Sequence, residues 1–332
     1  MVHLPRDFEP FAAPRSDDRV MSLPDAPFFR VSDALERGVS RSLLRSVNLD
    51  APFHGVRATA GSLFDFDRLC AAYAIKMPLS SAFTGITAAR LWRMPLPTYV
   101  GRESGTVDVA SCAPRRAPRG ANVRGSKFDS GIARRHLLNG LPVLSAVDTW
   151  CSLAGVLDVV DLAAVADHLL SDARGARRAH AVLDELQAAL RLRTHHRHTR
   201  ALREALALAR PHCWSRTETL TRVVLTSTGI PEPALNHRLV VGGRTVRIDL
   251  AWPDVRFGLE YDGDQHRDPQ RFAEDIGRQE RVQDARWSLM RMTRLDLFDH
   301  PEALVHRVAS RLAERGLSSI RLDVSQMVRP RR

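Results

Sequence analysis

Two short runs constrain this chain more than any other feature: Arg247-Ile248-Asp249-Leu250-Ala251-Trp252 and Leu259-Glu260-Tyr261-Asp262-Gly263-Asp264-Gln265-His266. Both read as strands, and each carries acids on its polar face. Asp249, Glu260, Asp262 and His266 thereby fall within eighteen residues. Carboxylates beside apolar sheet surface are costly unless a cation sits among them. A divalent metal is the economical cation, and its usual task in such a setting is attack on a phosphodiester.

The rest of the composition narrows the setting. A chain of 332 residues accommodates two or three domains. No apolar run approaches eighteen residues, so no membrane span is expected. Residues 1–27 are rich in Pro and Asp and lack the apolar centre of a signal peptide, which leads to the expectation of a cytoplasmic protein. Cys70, Cys112, Cys151 and Cys213 are scattered and form no C-x-x-C pair, so buried thiols are expected rather than a zinc ribbon or a disulfide framework. The net charge of +11 and isoelectric point near 10.6 favour a polyanionic partner through release of counterions. Nearly all of that charge is arginine; the two lysines are Lys76 and Lys127. The arginine excess also fits plain codon bias.

The expected organisation is a flexible leader (1–27), a winged-helix-like unit (28–60), a mixed α/β region (61–173), an Arg-rich helical connector (174–214), an α/β domain (215–325) and a basic tail (326–332). In 31–45, Gly38 is expected to stop one short helix and Ser40 to cap a second. That is the pattern of a helix-turn-helix with Arg41 and Arg45 towards DNA, and Pro52–Arg57 would supply a strand or wing. A small helical packing unit is the plainer alternative. Helical spacing covers 67–74 and 80–92, and a basic segment follows at Arg115-Arg116-Ala117-Pro118-Arg119. Residues 148–173 read as one or two buried helices. The connector holds nine arginines against three acids, with His195, His196 and His198, and reads most simply as a solvated basic surface.

From 215 onward the expected order is helix (216–228), strands (236–241, 244–252, 255–261), helix (270–286), strand (288–293), helix (301–315) and strand (319–324). Gly242-Gly243 and Pro253-Asp254 supply the turns. Strict alternation puts Val246, Ile248, Leu250 and Trp252 on one face and Asp249 on the other. It also puts Gly258, Glu260 and Asp262 together, with Gly258 leaving open space beside the acids. Asp249 and Glu260 then lie on one face about one residue pair apart.

This arrangement resembles the PD-(D/E)xK nuclease fold. Ser215-Arg216-Thr217-Glu218, Arg247-Ile248-Asp249-Leu250, Glu260-Tyr261-Asp262-Gly263 with His266, Asp275 with Arg278, and Arg291 are together similar to endonuclease-like domains related to very-short-patch repair endonucleases. The resemblance covers roughly 215–315. It implies a restriction-endonuclease-like central sheet flanked by helices. It further implies that Asp249 and Glu260 hold Mg2+ (or Mn2+), that Glu218 approaches the same ion directly or through water, and that Arg278 and Arg291 bind phosphate. Asp262 stands where that family has lysine, and no lysine follows Lys127, so His266 becomes the substitute acid or base. Each residue also has a plainer role: Glu218 completes a capping box with Ser215, Asp262-Gly263 makes a turn, and the arginines pair with Asp275 and its neighbours.

In the front half, 29–56, Ser81–Pro97 and Gly140–Trp150 are similar to AbiEi-like antitoxins of type IV toxin–antitoxin systems. That likeness implies a winged-helix start and a mixed α/β domain. Three functions follow as expectations: a Mg2+-dependent DNA endonuclease, a non-catalytic DNA-binding regulator that keeps the nuclease fold, or an antitoxin whose ligand is a cognate toxin protein.

Overall fold

The computed structural model describes residues 23–24, 26–63, 65–100, 105–171, 179–262 and 269–332, with 269–276 described by backbone alone. Eleven α-helices and three sheets among the described residues make the chain α+β. No helix among them is long and apolar enough to cross a membrane. The chain divides into two compact units, Met1–Arg93 with Gly101–Thr149, and Met94–Val100 with Trp150–Arg332.

In the first unit, β1 (Phe28–Arg30), α1 (Val31–Glu36), β2 (Leu49–Asp50) and β3 (Val56–Thr59) form a small subassembly. Its antiparallel sheet has the order β1-β3-β2. Gly38 sits at φ 82 just past α1, as the sequence suggests. Ser40 Oγ accepts from Leu43 N at 3.1 Å, but the element it starts is a single 3-10 turn, Leu43–Arg45, rather than a second helix. Ser46 and Asn48 explain the shortness. The Asn48 N–H bonds Ser46 Oγ at 3.3 Å, so local side-chain bonding turns the backbone into β2. Arg41 and Arg45 are exposed on this turn, with no helix to carry them into a groove.

The larger sheet of this unit has the order β6-β5-β4-β8-β7. It is built from β4 (Ser81–Phe83), β5 (Val107–Cys112), β6 (Val123–Phe128), β7 (Arg135–Leu138) and β8 (Leu141–Leu144), with α2 (Phe66–Ala74) and α3 (Gly85–Leu91) packed on it. Asp65 caps α2 by accepting from Arg68 N at 2.7 Å. The continuous helix expected over 80–92 is instead β4 followed by α3. Phe83 is wholly buried in the sheet, and Gly85 at φ 53 makes the corner between them. The chain passes into the second unit within α4 (Ala146–Ser152).

The second unit begins with α5 (Val159–Leu170), α6 (Leu183–Leu192) and α7 (Thr199–Leu208). It continues through α8 (Arg216–Ser227), β9 (Ala234–Val241), β10 (Arg244–Trp252), β11 (Phe257–Tyr261), α9 (Pro269–Asp284), β12 (Ser288–Met292), α10 (Arg294–Phe298) and α11 (Pro301–Glu314). It starts well before residue 215 because two buried acids on α5 grip α8. Asp161 pairs with Arg216 at 2.6 Å, and Asp167 pairs with Arg222 at 3.2 Å with both side chains 1% exposed. The sheet order is β12-β11-β10-β9; β10 is antiparallel to both β9 and β11, and β12 joins β11 in parallel. Leu220, Val223 and Val224 of α8 and Leu304, Val305 and Val308 of α11 cover Leu250, Trp252, Phe257 and Leu259.

The strand expected at 319–324 does not form. Asp323 N bonds Thr228 O at 3.0 Å and Val328 N bonds Ser227 Oγ at 3.1 Å, so this segment follows the end of α8 with one 3-10 turn, Val324–Gln326. Ile320 and Leu322 still reach the core.

Candidate functional site

Strand β10 does not keep one apolar face along its length. Its register with β9 runs evenly from Arg244↔Val241 to Ile248↔His237 and resumes at Leu250↔Leu235, omitting Asp249 and Asn236. Asn236, the β9 residue left out of this pairing, has φ 46. Val246 and Ile248 pack with Val282 and Trp287, whereas Leu250 and Trp252 pack with the α8 and α11 cluster. The expected single face of Val246, Ile248, Leu250 and Trp252 is therefore divided, and Asp249 stands at the break.

The open space expected at Gly258 is filled. A Cβ there would lie 2.6 Å from Ile248 Cγ2 and 2.9 Å from Leu289 Cδ1. The glycine serves close packing beneath the acids and leaves no room for a ligand.

The β10–β11 pairing runs to Leu250↔Leu259, and Asp249 and Glu260 are the next residues of the two strands. Tyr261 N donates to Asp249 Oδ2 at 3.1 Å. Burial, then the charge of Glu218, and less strongly that of Glu260, push the Asp249 carboxyl up to about 7 from its usual 3.8, against the Tyr261 hydrogen bond and the Arg278 charge. The three carboxylates named from the sequence thus share one electrostatic neighbourhood.

Each of the other two is already engaged. Glu218 is buried near the start of α8, where Ser215 caps the helix by accepting from Glu218 N at 3.1 Å. Its Oε1 accepts from Ser215 Oγ at 2.9 Å; its Oε2 accepts from Trp214 N at 3.0 Å and Asn236 Nδ2 at 2.7 Å. The capping-box role is therefore real, with Trp214 N in place of the usual N-cap amide. Glu260 is clamped by Arg278 of α9 through both carboxylate oxygens, Nη1 to Oε2 at 2.8 Å and Nη2 to Oε1. Arg278 Nη2 also donates to Arg247 O at 2.6 Å. The expected partner Asp275 belongs to the stretch described by backbone alone, and Glu260 is the partner the structure shows for Arg278.

Asp262 lies just past β11, with Arg291 Nη1 3.9 Å from its Oδ2 across half-exposed side chains. Arg291 is also the register partner of Glu260 in the parallel pairing. His266 lies outside the described residues. Among the described residues, no three His, Cys, Asp or Glu side chains gather as a metal-holding group.

Asn236 and Trp214 were not foreseen. Asn236 donates to both His212 O (2.8 Å) and Glu218, so it ties the loop before α8 to the sheet. The Arg247 guanidinium sits 4.8 Å over the Trp214 ring. An Asn near the start of a strand, ahead of the glycine turn that ends it, is the signal that could have revealed a conformational break facing Asp249.

No protein-family model and no solved structure matches this chain. The uncharacterized proteins MT2308 and Rv2248 of Mycobacterium tuberculosis (strains CDC 1551 / Oshkosh and ATCC 25618 / H37Rv) are each 32% identical to it over 114 residues, 34% of this chain. The match spans 42% of the length of each relative, less than half of either.

Proposed function

We propose that residues 215–325 form a metal-dependent endonuclease domain that hydrolyses DNA phosphodiester bonds, with Mg2+ held by Asp249 and Glu260. The observation carrying this reading is Asp249: a largely buried carboxylate that feels the charges of Glu218 and Glu260, its carboxyl pushed up to about 7 by burial and like charge. A helix, three antiparallel strands, a second helix and a parallel fourth strand around it agree with the restriction-endonuclease-like arrangement implied by the sequence.

The donor chemistry suits a hard divalent cation, since Asp249 and Glu260 offer carboxylate oxygens side by side. Glu260 already binds a cationic group, the Arg278 guanidinium. The bound ion would lower the pKa of a water and offset charge developing on the phosphate. Arg278 would then exchange Glu260 for a phosphate oxygen, a partner its planar fork fits equally well. Glu218, held by three donors, would orient water from a fixed position. Arg291 would hold a neighbouring phosphate, and His266 would carry the proton that a lysine would otherwise manage. Arg41 and Arg45 would add DNA contacts from the first unit. A cytoplasmic location accords with a chain of charge +11 acting on nucleic acid.

A second reading is favoured by the Glu260–Arg278 clamp together with Asp262 in the lysine position. A domain that binds DNA without cutting, as a regulator or an antitoxin-like protein with a cognate toxin partner, would keep both features. Nicking of supercoiled plasmid by the full chain separates the two. Wild type should nick with Mg2+ or Mn2+, and Glu260→Gln and Asp249→Asn should not. Salt-sensitive DNA binding with no cutting and no response to metal would establish the second reading instead.

A further inference from the structure

The first unit carries a basic surface distant in sequence from the carboxylates. Residues 113–128, the loop after β5 and the whole of β6, contain Arg115, Arg116, Arg119, Arg124 and Lys127 and not one acid. All five side chains belong to exposed residues. Arg124 is held at 2.7 Å by Asp108. Arg115, Arg116, Arg119 and Lys127 form no ion pair with any described residue.

The surface is built rather than loose. β6 is the edge strand of the five-stranded sheet, paired with β5 from Val107↔Val123 to Cys112↔Phe128. Gly125 on that edge lets the loop lie against it: a Cβ there would stand 1.8 Å from the Pro118 carbonyl oxygen. Ala113 N bonds Phe128 O at 2.8 Å and Val123 N bonds Gly120 O at 3.3 Å, fixing both ends of the loop to β6. A strand Cβ points out of the sheet plane, so the loop bearing the arginines lies over the face of this edge strand that Gly125 shares with Lys127. Six strand residues at about 3.3 Å each run roughly 17 to 20 Å, the length of about five phosphates on one nucleic-acid strand.

We infer that this edge is a docking surface for duplex DNA, the polyanion of the proposed function on which this choice rests, gripped by its phosphate backbone. Charge complementarity selects the occupant. Four cations without acidic partners invite a polyanion, and three are arginines, whose forks match phosphate oxygens. No large apolar side chain is exposed in 113–128, so a membrane surface would find no anchor there. Contacts of this kind are indifferent to sequence; they position a duplex and make binding steeply salt-dependent.

The test uses the full chain in EDTA, so that cutting plays no part and failure of the endonuclease reading stays separate. Anisotropy of labelled duplex DNA and of duplex RNA of equal length is followed against NaCl. A variant with Arg115, Arg116, Arg119 and Lys127 all changed to Gln is compared with one changing the exposed Arg191, Arg197, Arg200 and Arg203 to Gln. The patch variant should bind at least about tenfold more weakly, and its log affinity against log salt should flatten by up to about 3.6, near 0.9 for each of the four cations removed. The α6/α7 variant should stay close to wild type. The proposal is overturned by equal loss in both variants, by no loss in the patch variant, or by no nucleic-acid binding at all. Capture on phosphatidylserine vesicles that depends on the patch, while DNA and RNA binding do not, would overturn it too. Patch-dependent binding of the RNA duplex without patch-dependent binding of the DNA duplex would also overturn it.

Discussion

Replacing Asp249 by Asn should stabilise the metal-free protein at alkaline pH, although Asp249 lies at the heart of the candidate site. Its carboxyl is pushed up to about 7 from 3.8, chiefly by burial and the Glu218 charge. Between those values the native state holds a proton that the unfolded chain has released, so stability falls as pH rises through this window and is lowest above it. Each pH unit corresponds to about 1.4 kcal/mol, giving a ceiling of roughly 4 kcal/mol. Solvent reaching this partly exposed side chain and local relaxation reduce that to about 2 kcal/mol. Asn keeps an oxygen for the Tyr261 N–H and gives an amide to the neighbouring carboxylates. In urea unfolding followed by tryptophan fluorescence in EDTA, a slope of about 2 kcal/mol per molar translates this into a midpoint about 1 M higher for Asp249→Asn at pH 8.5. At pH 4 the two proteins should converge. A variant no more stable than wild type at pH 8.5, or a difference that ignores pH, would refute the electrostatic account of this cluster.

Two further outcomes test the framework around the site. Gly258→Ala forces a methyl against Ile248 and Leu289 and should cost about 1–3 kcal/mol, read as a lower thermal midpoint; an unchanged midpoint would show that the space there is open after all. Asp167→Asn leaves the Arg222 guanidinium buried with a weaker set of acceptors and should cost about 3 kcal/mol, whereas joint replacement of Asp167 by Leu and Arg222 by Met should recover most of it in the same thermal melt.

Apart from α10, the order of elements from 216 to 314 was legible because each has a local signal. Ser215 caps α8, Gly242-Gly243 turns β9 into β10, and period-2 alternation marks β10 and β11. What failed depended on contacts distant in sequence. The segment at 319–324 has strand-like alternation, yet its Asp323 N–H bonds Thr228 O at the end of α8, and Val328 just beyond it bonds Ser227 Oγ. The helix expected from Ser80 gives way to β4 because Phe83 has a sheet to enter, between β5 and β8. α10 was missed although Thr293 and Asp296 form a capping box that the sequence displays openly. In the site, strict alternation put Asp249 and Glu260 on one face but could not foresee Asn236 at φ 46 or the division of β10's apolar residues between two clusters. The Arg278 clamp was hidden because α9 returns eighteen residues after Glu260, a distance at which spacing no longer tells which acid an arginine meets.

The central claim is that the Asp249–Glu260 pair accepts a divalent ion in exchange for Arg278 and uses it to cut DNA. Its most direct test is the initial rate of plasmid nicking by wild type and Glu260→Gln over a Mg2+ titration. The account predicts saturable, Mg2+-dependent nicking by wild type and a loss of about a hundredfold or more in Glu260→Gln, the scale on which removing a key transition-state stabiliser acts. Equal rates in the two proteins, or wild-type cutting that persists in EDTA, would contradict it.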